Sequence, residues 1–362
     1  MSRAGDPVSL PPVPPPAPDS HPLRDRVLVA AFVAALALPG LLTIKNASRT
    51  MTAFENRPTA AWPDSSAGAA FQGRFEQAFS DRFGGRGALI ALHHSALVRL
   101  FGVSPVDKVM LGDSGWLFFL GEDAHSLDRH YRGVMPMPDD IVAAVLAELK
   151  RRNDYLHAHG IAYVVTIAPD KFTIYPEHLP SWVRHMPAPT PFARLADALH
   201  ADGSVRFVDL RKPLLEAKKT EQVYFKTDSH WNLLGARIAA SLLMREVQAA
   251  LPPGRLPNIE LPENPPYVPN VDFYSGDLAK MLGLPKRFEE PDLAPLGKLF
   301  AEQANICARR VENAEGPDVE TYACGRGDLP RAVMYRDSMA IPLVPLISPN
   351  FSRIVYVSSR KM

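Results

Sequence analysis

From residue 139 onward, helical patterns alternate with short apolar runs, and this alternation limits the possible folds more than any other feature. The segment 139–160 begins with two aspartates, has helical periodicity and ends at Gly160. It leads directly into "IAYVVTIAP", a continuous apolar run typical of a strand buried on both faces. A helical pattern at 191–201 leads into "VRFVDL" in the same way, and a third follows Asn232. The sequence therefore predicts an α/β fold with a parallel sheet and helices on both faces.

Two more strand-like runs follow at 331–335 and 353–358. The proline-rich segment before them, 251–330, is interpreted as an insertion that contains a β-hairpin. Cys307 and Cys324 stand symmetrically about the turn of this hairpin, so paired strands would bring them to a disulfide separation. A pair of half-buried thiols is the alternative, because a disulfide requires an oxidising compartment. Two cysteines are too few for a thiolate zinc or iron–sulfur site.

The overall charge argues against one class of partner. The 40 Lys and Arg residues almost balance the 39 Asp and Glu residues, and no basic block is present. A protein that follows a phosphate backbone needs a concentrated positive surface. Nucleic acid is therefore not an expected partner.

An uncharged apolar run at 27–44 predicts a single transmembrane signal anchor, although Pro39 and Gly40 interrupt it. A cleaved signal peptide is the alternative. Basic residues flank the run on both sides, so charge alone does not orient it. The usual arrangement for one early span places the large domain outside the cytoplasm. The predicted layout is a disordered proline-rich cytoplasmic tail (1–26), the anchor (27–44), a helical stalk (45–110) and a catalytic domain (111–362).

The hexapeptide "TDSHWN" at 227–232 provides two candidate catalytic side chains. Successive side chains of an extended segment point to opposite sides, so Asp228 and His230 are expected to share a face while Ser229 faces away. The nucleophile must then come from elsewhere in the chain. The alternative for Asp228 and His230 is a surface turn before a helix.

Two serines compete for the role of nucleophile. Ser114 in "GDSGW" has the tripeptide of many lipases, but its neighbours predict a hairpin turn. Ser338 in "YRDSM" follows an apolar run and opens a helical pattern, which is the strand-to-helix position of a reactive serine. Ser338 is therefore favoured, and a plain N-cap serine is the alternative.

Four motifs together resemble the alginate O-acetyltransferase family of AlgX/AlgJ type: "GWLFFLG" at 115–121, "APDKFTIYPEHLP" at 168–180, "TDSHWN" and "YRDSM". The resemblance implies an SGNH-hydrolase-like fold with permuted blocks. It implies that Ser338 is the nucleophile, His230 the general base and Asp228 its orienting acid. Met339 replaces the usual phenylalanine after the nucleophile. Relatives continue beyond the last residues of this chain, so a shortened C-terminus is expected.

The implied reaction is acyl transfer through a covalent acetyl-serine, and it requires no metal or organic cofactor. Backbone N–H groups near Ser338 and Met339 are the expected oxyanion donors. Lys171 and Tyr175 follow the first strong strand, and are expected either to line the pocket or to pack as a strand exit. The resemblance implies an exopolysaccharide acceptor, a membrane-bound O-acyltransferase as donor system, and a periplasmic domain anchored in the inner membrane. The alternatives are a carbohydrate acetyl esterase and an inactive polysaccharide-binding scaffold.

Overall fold

The structure is a computed structural model, and its chain falls into two compact units that meet between Leu89 and Ile90. This boundary lies earlier than the predicted start of the catalytic domain at residue 111. The described residues are 22–46, 58–121, 129, 131–184, 189–259, 261, 273–291, 308–311 and 319–358.

Helices and strands alternate through most of the described chain. The helices are α1 (Pro22–Lys45), α2 (Phe71–Arg82), α3 (Arg86–Ala96), α4 (Asp139–Ala158), α5 (Lys171–Ile174), α6 (Ser181–Arg184), α7 (Pro191–Asp202), α8 (Arg211–Ala217), α9 (Leu233–Ala250), α10 (Asp277–Met281) and α11 (Val344–Ile347). The strands are β1 (Val109–Leu111), β2 (Leu117–Phe119), β3 (Val164–Ile167), β4 (Arg206–Asp209), β5 (Phe273–Tyr274), β6 (Glu290–Pro291), β7 (Ala308–Val311), β8 (Val319–Cys324), β9 (Arg331–Arg336) and β10 (Arg353–Ser358).

Helix α1 covers the predicted anchor. Its stretch Leu23–Lys45 contains an 18-residue window with a mean hydropathy of 2.5, so the helix is long and apolar enough to cross a membrane. The helix continues through Pro39, where the sequence indicated an interruption, and the Thr43 hydroxyl donates to the Pro39 carbonyl at 2.7 Å. Length and composition thus fit a single-pass anchor, and a signal sequence has the same properties.

The β1–β2 hairpin confirms the turn predicted around Ser114. The two strands pair antiparallel, and a 3₁₀ turn at Asp113–Gly115 joins them. Ser114 has a φ of 57°, in the left-handed region that turn residues often adopt.

The predicted helix-to-strand units are present, in the order that the sequence indicated. Helix α4 ends before Gly160, which has a φ of 71°, and the chain then enters β3. Helix α7 leads into β4, and β3 and β4 pair in parallel. Helix α9 packs against both strands, and its N-cap Asn232 accepts hydrogen bonds from the N–H groups of Leu234 and Gly235.

A second, mixed sheet has the strand order β7-β8-β10-β9. Strands β9 and β10 pair in parallel, while β8 is antiparallel to both β10 and β7. The β7–β8 hairpin was predicted, but its position in the sheet was not. Strand β8 extends the sheet and pairs with the backbone N–H and C=O groups at the edge of β10. Within the described residues, the expected parallel sheet thus appears as two parallel pairs in separate sheets.

Helix α9 connects the two parallel pairs around the site. It packs against β3 and β4, and also against α11 and the 3₁₀ segment Ser338–Leu343 that follows β9. Its small residues Ala236, Ala239 and Ala240 are buried, which allows close approach of these neighbours. Because the 225–230 loop runs into the start of α9, this packing brings the end of β9 close to that loop.

Candidate active site

Residues 225–230 form a tight loop whose two ends are held by buried aromatic side chains. Tyr224 and Trp231 form an isolated antiparallel bridge across its base. Both rings are buried, and they contact each other edge to face at 6.4 Å. The Phe225 N–H donates to the His230 carbonyl at 3.3 Å. Burial of two large rings favours one arrangement of the loop, and with it one position for the polar residues between them.

Asp228, His230 and Ser338 are connected in series by hydrogen bonds. Asp228 Oδ1 lies 2.6 Å from His230 Nδ1, and His230 Nε2 lies 2.9 Å from Ser338 Oγ. When Nδ1 carries the proton shared with Asp228, Nε2 is left to accept the serine proton. The structure therefore brings together the three residues that the sequence selected.

The Asp228 carboxylate is buried and accepts four hydrogen bonds. Besides the His230 ring, its donors are the His230 N–H at 3.0 Å, the Asp277 N–H at 3.0 Å and the Tyr274 hydroxyl at 2.5 Å. Burial alone would raise the pKa of Asp228, but these hydrogen bonds outweigh it and hold the pKa well below its ordinary value. The carboxylate is therefore charged at neutral pH.

The imidazole of His230 responds to the same carboxylate. Burial alone lowers the pKa of His230, but the hydrogen bond and charge of Asp228 outweigh this effect and raise the pKa above its ordinary value. Asp277 and Asp337 add smaller contributions in the same direction. An imidazolium formed during a reaction is thus stabilised where it stands.

The expectation that Ser229 faces away from the pair was wrong. Its hydroxyl lies 3.1 Å from His230 Nδ1 and donates to Asp277 Oδ2 at 2.5 Å, while its N–H donates to Asp277 Oδ1 at 2.7 Å. The chain bends continuously through this loop, so the alternation of an extended strand does not apply. Ser229 thus links the loop to a second carboxylate.

A buried glutamate holds the beginning of the loop. Glu290 Oε1 accepts from the N–H and the hydroxyl of Thr227 at 2.8 and 2.7 Å, and Oε2 accepts from the Lys226 N–H at 2.9 Å. Glu290, Tyr274 and Asp277 all come from the proline-rich segment 251–330 that was interpreted as an insertion. No motif or periodicity in that segment singles them out.

Lys171 is buried beneath the loop. Of the two expectations for this residue, its position fits packing at a strand exit. Its ammonium group donates to the carbonyls of Leu117 and Lys226 at 2.8 and 3.2 Å, and also to that of Asp228. Burial lowers the pKa of Lys171 to about 7, and nearby carboxylates, chiefly Asp228, oppose this shift. Lys171 joins the β1–β2 hairpin to the Asp228 loop.

Tyr175 is also buried, and it contacts the segment that leads into the loop. The Val223 N–H donates to its hydroxyl at 2.9 Å, and its ring contacts Trp116 with a centroid separation of 4.2 Å. Burial raises the pKa of the Tyr175 hydroxyl. Like Lys171, Tyr175 packs as part of a strand exit in this structure.

Ser338 lies at the predicted position, between β9 and a short helical segment. The helical segment is a 3₁₀ turn, and Asp337 caps it by accepting from the Met339 N–H at 2.9 Å. Ser338 is exposed, whereas Met339 is partly buried against the core. The Met339 N–H, an expected oxyanion donor, is therefore bonded to Asp337 in this structure.

The predicted disulfide falls partly outside the described residues. Cys324 is buried at the end of β8, opposite Ala308 of β7. Cys324 is disulfide-bonded, which agrees with the predicted bridge. Cys307 itself is not among the described residues, so its pairing with Cys324 stays a prediction.

Candidate metal ligands coincide with the hydrogen-bonded residues. Asp228, His230 and Asp277 each offer one ligand atom, and these atoms lie within 4.8 Å of one another. Asp228 Oδ1 and His230 Nδ1 are hydrogen-bonded to each other at 2.6 Å. The arrangement has the geometry of a proton-transfer site.

A serine at a strand end, hydrogen-bonded through histidine to a buried aspartate in an α/β domain, is the arrangement of a serine hydrolase-like protein. The family model described as "SGNH hydrolase-like domain, acetyltransferase AlgX" matches residues 109–308, more than half of the chain. The chain belongs to this family. Asp228 and His230 lie within the matched range, and Ser338 lies beyond it.

Curated relatives agree with this assignment. The chain is 27% identical over 271 residues to the "Probable alginate O-acetylase AlgJ" of Azotobacter vinelandii, which covers 73% of this chain and 62% of that protein. It is 34% identical over 198 residues to the protein of the same name from Pseudomonas fluorescens, covering 52% of this chain and 45% of that protein. The chain thus spans less than two thirds of the length of these relatives.

Among solved structures, the chain is similar to the O-acetyltransferase domain of Pseudomonas putida AlgJ, with 21% identity, a TM-score of 0.42, and coverage of 69% of this chain and 79% of that one.

Proposed function

We propose that this domain transfers an acetyl group through an acetyl-Ser338 intermediate onto a polysaccharide hydroxyl. The observation that carries the proposal is the series Asp228–His230–Ser338, with 2.6 and 2.9 Å between the bonded atoms. Membership of a family described by an acetyltransferase supports the choice of acyl group.

In the first step, Ser338 Oγ attacks the carbonyl carbon of an acetyl donor while His230 Nε2 takes the hydroxyl proton. A C–O bond to the serine forms, and the bond to the donor's leaving group breaks. The leaving group departs with the proton that His230 returns. Asp228 stays ionised throughout and stabilises the imidazolium, in agreement with the lowered pKa of Asp228.

In the second step, a sugar hydroxyl attacks the acetyl-serine. His230 takes the proton of that hydroxyl, a new ester bond forms, and Ser338 recovers its proton as its own ester bond breaks. The exposure of Ser338 suits a large acceptor, because a polymer can reach the serine without entering a closed cavity.

The negative charge that develops on the acetyl oxygen needs N–H donors beside Ser338. Met339 N–H is the candidate that the resemblance indicates, and in the resting structure it donates to Asp337 Oδ1. We propose that the Asp337 carboxylate releases this N–H when the acetyl group is in place.

The names of the relatives suggest alginate or a similar exopolysaccharide as acceptor. We further propose a membrane-bound O-acyltransferase as the donor system, with α1 anchoring the chain in the inner membrane and the catalytic domain in the periplasm. Under this proposal acetylation takes place while the polymer is exported.

Two other functions use the same site or surface. Water in place of the sugar would make the domain a carbohydrate acetyl esterase, and exposed Ser338 is open to water. An inactive scaffold would bind the polysaccharide without chemistry. We place transfer before hydrolysis because the matching family is described by an acetyltransferase, and the scaffold last because the hydrogen-bonded series is complete.

The test uses the purified full-length chain with p-nitrophenyl acetate, with and without an alginate oligosaccharide. Ser338→Ala is expected to lower p-nitrophenol release by at least about 1,000-fold, because loss of a triad serine removes the covalent path. Ser114→Ala is the matched control, since this serine lies in the exposed β1–β2 turn. Acetylated oligosaccharide indicates a transferase, acetate alone an esterase, and polymer binding without either product a scaffold.

A further inference from the structure

The first compact unit carries an exposed row of aromatic side chains, here called the aromatic stripe: Trp62, Phe71, Phe75 and Phe79. Each is 39–44% exposed. Phe75 lies between its helix neighbours with ring centroids 6.2 Å from both Phe71 and Phe79, and the Trp62 ring lies 5.6 Å from it. Four adjacent exposed rings form an apolar surface that water solvates poorly.

The spacing of the phenylalanines explains the stripe. Phe71, Phe75 and Phe79 recur every four residues along α2, so they stand one above another on one side of the helix. Gln77, two residues after Phe75, points to the opposite side and is exposed. Helix α2 therefore presents an apolar side and a polar side, as a helix at a membrane surface does.

Contacts hold the C-terminal end of α2 against the end of α1. The Gly84 N–H donates to Thr43 Oγ1 at 2.9 Å, and Asn46 Nδ2 donates to the Arg82 carbonyl at 3.5 Å. A Cβ atom at Gly84 would lie 2.3 Å from the Leu42 Cβ atom, so only glycine permits this approach. The stripe is thus tied to the last turns of the apolar helix.

The length of α1 determines the depth at which the contact between α1 and α2 lies in a bilayer. The uncharged run 27–44 of α1 has 18 residues and, at 1.5 Å per residue, extends about 27 Å. The hydrocarbon core is about 30 Å thick, so the last turn of a spanning α1 reaches the headgroup region. Thr43 and Gly84 then lie near that region, where tryptophan rings are enriched in membrane proteins.

We propose that the aromatic stripe inserts into the headgroup region of the bilayer that α1 spans, and forms a second, peripheral membrane contact. The proposal rests on α1 being embedded, and it does not depend on the acetyl-transfer reaction. We take lipid as the group that covers the stripe, because the stripe lies in one compact unit with α1, and the apolar window of α1 is only 6% buried. A bilayer that surrounds α1 would then also contact the stripe.

The test places the photo-cross-linking residue p-benzoyl-phenylalanine in the full-length chain, reconstituted in nanodiscs of phosphatidylethanolamine and phosphatidylglycerol. The substituted positions are Phe75 in the stripe, Gln77 as the matched control on the opposite side of α2, and Leu36 in α1 as the positive control. Mass spectrometry of the cross-linked peptides identifies each adduct.

A lipid adduct at position 75 that is at least about fivefold more abundant than at position 77 supports the proposal. A peptide adduct at 75, from another protein or from this chain, overturns it, because the stripe is then covered by protein. Equal adducts at 75 and 77, or none at 75, also overturn it. Absence of lipid adducts at both 36 and 75 refutes the embedded anchor as well.

Discussion

The acid–base half of the site and the serine half are built in different ways. The loop 225–230 is fixed by buried groups from distant segments, namely Lys171 and the residues of 273–291. The turn at Ser338 is exposed and held by the neighbouring Asp337 cap and by packing on α9. Under the proposed function, the half that would keep one proton-transfer geometry is held by many hydrogen bonds, and the half that would admit a polymer is open.

This difference predicts two kinds of substitution. Changes beneath the loop are expected to lower stability and activity together, because the same hydrogen bonds serve both. Changes at the serine turn are expected to separate the two, because few other contacts depend on it.

The largest expected effect is that of Asp228→Asn. The amide cannot hold His230 in the required tautomer or stabilise its positive charge, so kcat/KM for acetyl transfer should fall by about 10,000-fold. Steady-state kinetics with the full-length chain measures this loss. Asp113→Asn, in the exposed β1–β2 turn, is the control and should leave kcat/KM unchanged. A loss below tenfold for Asp228→Asn would contradict the assigned role.

Next in size is Lys171→Met, which removes the shared donor beneath the loop. The carbonyls of Leu117, Lys226 and Asp228 would each lose this donor. The free energy of unfolding should fall by about 3 kcal/mol, because buried acceptors are left unsatisfied. Urea denaturation measures it. The exposed Lys212→Met should change the free energy of unfolding by less than about 0.5 kcal/mol. Equal changes for the two variants would mean that the Lys171 hydrogen bonds do not stabilise the loop.

A smaller effect is expected for Asp337→Ala at the serine turn. Loss of the cap should cost about 1 kcal/mol of stability. The variant frees the Met339 N–H that Asp337 now holds, so the rate of Ser338 acetylation should not fall by more than about twofold. Denaturation and stopped-flow acylation are the measurements. If Asp337→Ala lowered the rate of Ser338 acetylation more than Lys171→Met does, activity and stability would not be separable at the serine turn.

The smallest expected effect concerns the pH profile of Asp277→Asn. His230 acts as a base only when neutral, so kcat/KM should rise with pH and level off above the pKa of His230, which Asp228 and Asp277 raise. Removing the Asp277 charge lowers that pKa, so the midpoint should move to lower pH. The plateau should stay within about threefold of the original. A midpoint that moves upward would contradict the sign of this coupling.

The sequence could predict the three hydrogen-bonded residues of the candidate site because local patterns indicate their positions. Asp228 and His230 precede a capped helix, and Ser338 follows an apolar strand run. The order of helices and strands could also be predicted, because apolar residues recur with a different period in helices and in strands.

The supporting residues could not be predicted, because their roles depend on tertiary contacts alone. Tyr274, Asp277 and Glu290 come from a segment with two-residue strands and no periodicity. Ser229 was misplaced because the loop bends where an extended strand was assumed. The place of β8 in the sheet is also long-range, since its partner β10 lies about thirty residues later.

The central claim is that Ser338 carries the acetyl group between donor and acceptor. The most direct measurement is mass spectrometry of the full-length chain, quenched in acid after mixing with an acetyl donor and digested to peptides. The account predicts the added mass of one acetyl group on the peptide that contains Ser338, its disappearance when a polysaccharide acceptor is added, and its absence in His230→Ala. An acetyl group found on Ser114 instead, or acetylated product formed by Ser338→Ala at the unaltered rate, would contradict it.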